Sequence, residues 1–145
     1  MSVARVDAGK LISARMDAGL TQAELAEAVG ASGGIRVWQW ERGAEQPRPQ
    51  LVPLLAKVLR VPPLDLLDCD PLSPPISALR IAAGLTGADV CARAMLARMT
   101  YARLDQGVGS RPPAASVVRS LAQAIGVTQG QVRAALEPAR ADRAG

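Results

Sequence analysis

The side chains that catalysis usually recruits are scarce in this sequence. There is no histidine among the 145 residues, which removes the usual general base and the commonest zinc ligand. Cys69 and Cys91 are too few for a four-ligand metal site. Two scattered cysteines read as reduced thiols of a cytoplasmic protein, although a single disulfide stays open. Asp68 and Asp70 flank Cys69 in a proline-rich stretch, which suggests a loop rather than a site. There is no phosphate-cradling glycine loop and no convergent carboxylate pair. The pattern argues against an enzyme, and no metal or cofactor is expected. What remains is recognition chemistry. In Ile35-Arg36-Val37-Trp38-Gln39-Trp40-Glu41-Arg42, Val37 and Trp40 share one helical face, while Ile35, Arg36 and Gln39 lie toward the other.

The elements around that segment are legible from their stop and start signals. A first helix is expected from about Asp7 to Ala18, with Leu11 and Ala14 inward and Gly19 ending it. Thr21-Gln22-Ala23-Glu24 is a capping-box pattern, so a second helix starts at Gln22. Leu25, Ala26 and Val29 form its inner stripe, and Gly30 stops it. Ala31 and Ser32 make the turn to the third helix, which ends at Gly43. Trp40 is read as core, since a buried indole contributes more to a small domain than an exposed one. A loop, Ala44 to Gln50, precedes an apolar helix from about Leu51 to Leu59. A short helix, Leu64 to Leu67, closes the unit. Two short helices joined by a tight turn, the second carrying polar groups outward, form a helix-turn-helix, and a major groove is wide enough to admit that second helix.

The whole chain repeats this plan. Arg15, Ala18, Gly19, Leu20 and Thr21 recur 65 positions later as Arg80, Ala83, Gly84, Leu85 and Thr86. Residues 55–61 match 121–127 at an offset of 66, and Gly43 pairs with Gly107 at 64. Chance similarity between Ala- and Leu-rich helices does not account for a Gly-Leu-Thr turn, a glycine stop and a later helix in the same order. Such drift in offset places small insertions in loops. Pro62-Pro63 and the stretch Asp68 to Pro75 make a short, stiff connection. The expected architecture is all-α, two tandem compact four-to-five-helix bundles: residues 1–70, residues 71–138, and a flexible tail, 139–145.

Charge divides along the same line. Residues 1–72 hold eight Lys/Arg against nine Asp/Glu, a net of −1, and residues 73–145 hold nine Arg against four acids, a net of +5. A basic balance permits nucleic-acid binding without demonstrating it. No signal peptide and no apolar run of membrane-spanning length is read, so a soluble cytoplasmic protein is expected.

Gly19-Leu20-Thr21-Gln22-Ala23-Glu24-Leu25-Ala26, followed by Trp40-Glu41-Arg42-Gly43 and by Pro47 and Pro49, resembles the XRE family, the Cro and phage-repressor type of helix-turn-helix, over residues 8–67. The resemblance implies a bundle of four or five helices, sequence-specific transcriptional regulation, double-stranded DNA as partner, and often a homodimer in a bacterial or phage-encoded setting. It places Thr21 and Gln22 where the family contacts phosphate or a base edge. It places Gly34, Ile35, Arg36 and Gln39 at the exposed recognition positions, and Arg42 and Arg48 where phosphate contacts are usual. Gln pairs bidentately with adenine, and Arg with guanine or phosphate. The stretch Gly30 to Trp40 is one residue longer than the common spacing and holds Gly33-Gly34, so the third helix either starts late, at about Gly34, or has a loose first turn. Trp38 has three open readings: helix-edge packing, stacking on the sugar-phosphate surface, or a partner contact.

The second copy keeps the frame through Ile76, Leu79, Leu85, Val90, Tyr101, Leu104, Val118, Leu121, Ile125 and Val132. Gly87 stands in place of Gln22, and Thr86-Gly87-Ala88-Asp89 is a weaker capping box. Its recognition candidates are Arg98, Met99, Thr100 and Arg103, with Arg93 and Arg111 nearby. Two readings stand: a second DNA contact, or a degenerate copy kept for folding or dimerisation. At the level of the whole chain, a transcriptional regulator leads, and an antitoxin-like or adaptor protein that holds a partner is the alternative.

Overall fold

Short-range signals set several of the helix ends in the computed structural model, which describes residues 3–107 and 113–137. Helix α1 spans Ala8–Asp17 and starts where the Asp7 carboxylate accepts from the Lys10 backbone N–H. Helix α2 spans Gln22–Val29, between a complete Thr21/Glu24 capping box and a left-handed Gly30. Helix α3 spans Gly34–Glu41, and α4 spans Leu51–Leu59. Pro53 sits in the first turn of α4, where a missing N–H costs no intrahelical bond. A 3-10 turn, Pro63–Leu66, follows. The sequence suggests an ordinary helix at 64–67; four residues opened by Pro62-Pro63 form only the tighter turn. Helices α5 (Ile76–Ala82), α6 (Gly87–Ala94), α7 (Arg98–Asp105), α8 (Ala115–Ile125) and α9 (Gln129–Ala135) complete the chain. The capping boxes Thr86/Asp89 and Thr128/Gln131 are both fully formed, so the first is no weaker than its counterpart at Thr21. No strand occurs among the described residues, only an isolated antiparallel bridge between Val6 and Leu67.

Two groups of buried side chains hold these helices. One contains Leu11, Leu25, Val37, Trp40, Val52, Leu55 and Leu66. The other contains Val90, Tyr101, Val118, Leu121, Ile125 and Val132. Leu104 is half-buried at the edge of the second. Helix α5 belongs to both: Ile76 and Leu79 enter the second group, while Ala78 and Ile81 enter the first. All six residues from Ile76 to Ile81 are buried. An apolar helix with core on two sides has no solvent face, which explains why Arg80 and Ser77 are buried as well.

The proline-rich stretch is therefore not a spacer between separate bodies. The N-terminal segment runs across it. Arg5 and Asp68 exchange two hydrogen bonds, at 2.8 and 2.9 Å. Lys10 Nζ donates to the carbonyls of Leu67 and Cys69. The Ala4 N–H donates to the buried Ser77 hydroxyl of α5 at 2.9 Å. Cys69 and Cys91 are half-buried free thiols, and burial pushes the Cys69 thiol above its ordinary value. The tail from 138 onward and Arg111 lie outside the described residues.

Candidate nucleic-acid interface

Helices α2 and α3 meet through a turn built on glycine. Gly30 is left-handed, and Gly33 has φ 144°, a conformation that side chains disfavour. Helix α3 starts late, at Gly34, as one of the two sequence readings allows. Gly34 has a packing role: a Cβ there would come within 3.1 Å of the Ala23 backbone nitrogen. The glycine lets α3 approach α2 closely, and Gly34 itself is only half-exposed.

A buried charge network orients this pair against α1. Arg15 donates through Nε and Nη2 to the Glu41 carboxylate and through Nη1 to the Leu20 carbonyl. Gln22 Nε2 donates to Glu41 Oε1 at 3.0 Å. The hydrogen bond from Glu41 raises the Arg15 pKa, and their attraction adds to it. One carboxylate at the end of α3 thus ties down α1, the α1–α2 turn and the first residue of α2. Gln22 is consequently held in one place, half-buried, at the edge of the surface it shares with α3.

The outward face of α3 carries Ile35, Arg36 and Trp38 exposed, with Gln39 half-buried. The Arg36 guanidinium pairs with Glu45 of the following loop at 3.0 Å. Both partners are about half exposed, so the pair is a weak, salt-sensitive restraint. The Arg42 guanidinium lies over the Trp38 ring, 4.4 Å from its centroid. Such stacking holds a cation at the end of α3 and keeps the indole at the helix edge. Arg48 is exposed at the start of α4. The Thr21 hydroxyl accepts from Glu24 N–H, so its side chain is engaged in the cap.

The second half repeats the network with one exchange. Arg80 donates through Nε and Nη2 to Asp105, both at 3.0 Å, and through Nη1 to the Leu85 carbonyl. Burial opposes the Arg80 charge, but the Asp105 carboxylate outweighs it and the pKa is raised. The third donor differs. Tyr101 Oη donates to Asp105 Oδ1 at 2.8 Å, where the first half uses Gln22. Gly87 stands at the Gln22 position beside the ring, whose Cε2 is 3.8 Å from where a Cβ would sit, an ordinary contact distance. Burial and the neighbouring carboxylate push the Tyr101 hydroxyl far above its ordinary value, so it stays a donor.

Arg98, Met99, Thr100 and Arg103 are all exposed on α7. Neither Arg98 nor Arg103 has an ion-pair partner among the described residues. Arg93 Nη1 reaches the Ala124 carbonyl at 3.4 Å. The pairings of Arg15 with Glu41 and of Arg80 with Asp105 were not read from the sequence. The signal was present, since both arginines and both acids recur within the repeat. No group of His, Cys, Asp and Glu that could hold a metal occurs among the described residues. No helix there is long and apolar enough to cross a membrane.

Residues 8–68 match the family model described as a helix-turn-helix domain. No curated protein and no solved structure matches the chain significantly. The match covers α1 through the 3-10 turn, and so includes α1, α2 and α3, which the Arg15–Glu41 network ties together. A helix-turn-helix domain implies DNA binding and, with it, a regulatory role. With that geometry and that match, residues 8–68 of this chain are similar to the helix-turn-helix domain family.

Proposed function

We propose that this chain is a sequence-specific transcriptional regulator of the XRE type, acting in a bacterial or phage-encoded setting in the cytoplasm, and that it binds duplex DNA with α3. The observation that carries the reading is the outward face of α3 inside a matched helix-turn-helix: Ile35, Arg36, Trp38 and Arg42 are exposed while Val37 and Trp40 hold the core. Gln22, Gln39, Arg36 and Arg42 supply base-edge and phosphate donors. Gly34 contributes a close backbone approach, and Arg48 a phosphate contact.

Residues 71–138 act in this proposal as a second, diverged helix-turn-helix unit beside the first at 1–70. Its α7 adds Arg98, Thr100 and Arg103 as phosphate donors, with Met99 as an apolar contact. The net +5 of residues 73–145, from nine Arg and four acids, favours that role. Selection from random DNA duplexes is the direct test: one enriched motif is expected, and no enrichment would end the proposal. An Arg98→Ala/Arg103→Ala variant should weaken binding across sequences and lower the salt slope by about 1–2. An unchanged slope would confine DNA contact to the first unit.

A second reading, an antitoxin-like or adaptor protein, draws on Ile35 and Trp38, exposed apolar side chains on α3. It predicts stable co-purification of a protein partner without DNA affinity at low salt.

A further inference from the structure

The two halves of the chain meet head to tail, and each leaves one half of that seam uncovered. Helix α5 packs against α4 and the 3-10 turn, burying Ala78 and Ile81 in the first core. Beyond it the α5–α6 turn closes on α4: a Cβ at Gly84 would lie 3.0 Å from Pro53 Cγ. The repeat transposes both sides. Ile81, Ala82 and Gly84 correspond to Met16, Asp17 and Gly19 at an offset of 65. Met16 is 66% exposed where Ile81 is 8%, and Asp17 and Gly19 are exposed as well. On the receiving side, Pro53 and Ala56 of α4 correspond to Arg119 and Ala122 of α8 at an offset of 66. Those two residues line an open groove of about 330 Å³, together with Gln123 and Val127.

We propose that a second copy of this chain covers these surfaces, its Met16 face docking in the α8–α9 groove as α5 docks on α4 within the chain. Two features favour a second copy as the occupant. The chain already makes this packing once between its own halves, and the repeat puts corresponding positions on both uncovered surfaces. The charges are also complementary. Asp17 replaces Ala82 on the docking face and Arg119 replaces Pro53 in the groove, so the face carries an acid and the groove a base where the internal seam is apolar. Neither has an ion-pair partner among the described residues. The inference goes beyond the DNA-binding reading and does not depend on it.

Such an interface joins two different surfaces, so each copy offers one face and one groove: the contacts close into a pair or a ring if the rotation between copies closes, and otherwise continue past a pair. Sedimentation of the full chain, from about 10 μM to about 1 mM, tests this. The weight-average mass should rise above one chain mass with concentration. Asp17→Arg and Arg119→Asp each place like charges in the contact at exposed positions, so helical circular dichroism should be unchanged while the association is lost. Mixing the two variants restores opposite charges in every contact and should return the mass to the wild-type curve. Wild-type mass that stays at one chain overturns the proposal. So does association that the single reversals leave unchanged, or that the mixture does not restore.

Discussion

Glu41 and Asp105 each accept from three protein donors, two from an arginine and one from a neutral side chain. Their side chains are 6% and 10% exposed, so neither can fall back on water. Removing one partner leaves the other charge buried, which typically costs about 3–5 kcal/mol. Asp105→Ala should therefore lower the urea midpoint far more than Arg36→Ala. The Arg36–Glu45 pair is about half exposed on both sides, and breaking it should cost at most about 1 kcal/mol. Equal losses for the two variants would show that burial does not govern these pairs. Sequence reasoning marked Arg15 and Arg80 as a repeat, yet it missed their carboxylates. The partners are 26 and 25 positions away, and no periodic pattern reports which acid a folded chain brings beneath a given arginine.

At the level of elements, the sequence reading matches the bounds of α2 and α4 at both ends: α2 has a capping box and a glycine stop that act within four residues, and α4 is marked by its apolar run. It was insufficient for Gly34, whose lack of a side chain matters only through its approach to Ala23. The helix ends also yield two predictions. Met95 ends α6 with φ 56°, in the left-handed region where the first half has Gly30, and it is 91% exposed. Met95→Gly should relieve that conformation and raise stability by about 1 kcal/mol, read as a higher denaturant midpoint; a lower midpoint would mean that Met95 makes contacts worth more than the strain. The second concerns acid. Hydrogen bonds from the backbone and side chain of Thr21 and of Thr86 lower the pKa of Glu24 and of Asp89 below their ordinary 4.5 and 3.8. A lowered folded pKa stabilises above the ordinary value and loses that contribution as pH falls through the folded one. Stability should thus decline below about pH 4.5, and Glu24→Gln/Asp89→Asn, which removes the titrating carboxylates, should flatten that part of the decline. An unaltered acid slope in the variant would remove the caps from its cause.

For the molecule as a whole, α5 decides how the halves behave. The sequence showed the repeat and the prolines between its copies, which suggested two bodies and a connector. It concealed the double burial of α5, because Ala78 and Ile81 look like ordinary positions of any Ala-rich helix. With side chains of one helix in both cores, the halves should unfold together. The chain contains its own probes: both tryptophans lie in the first half, and Tyr101, the single tyrosine, lies in the second. Tryptophan fluorescence and tyrosine near-ultraviolet dichroism should give coincident denaturation curves. Separate midpoints would mean that α5 does not couple the cores.

The exchange of Gln22 for Tyr101 bears on anyone who would re-engineer the second half. Grafting the first half's surface onto it one residue at a time would leave Asp105 with the wrong set of donors. A glutamine added at position 87 would come beside a Tyr101 hydroxyl that already donates to Asp105, and removing the ring alone would strip that donor. In any chimera the positions travel as a pair: Gln22 with Val37, which stands 64 positions before Tyr101, or Gly87 with Tyr101.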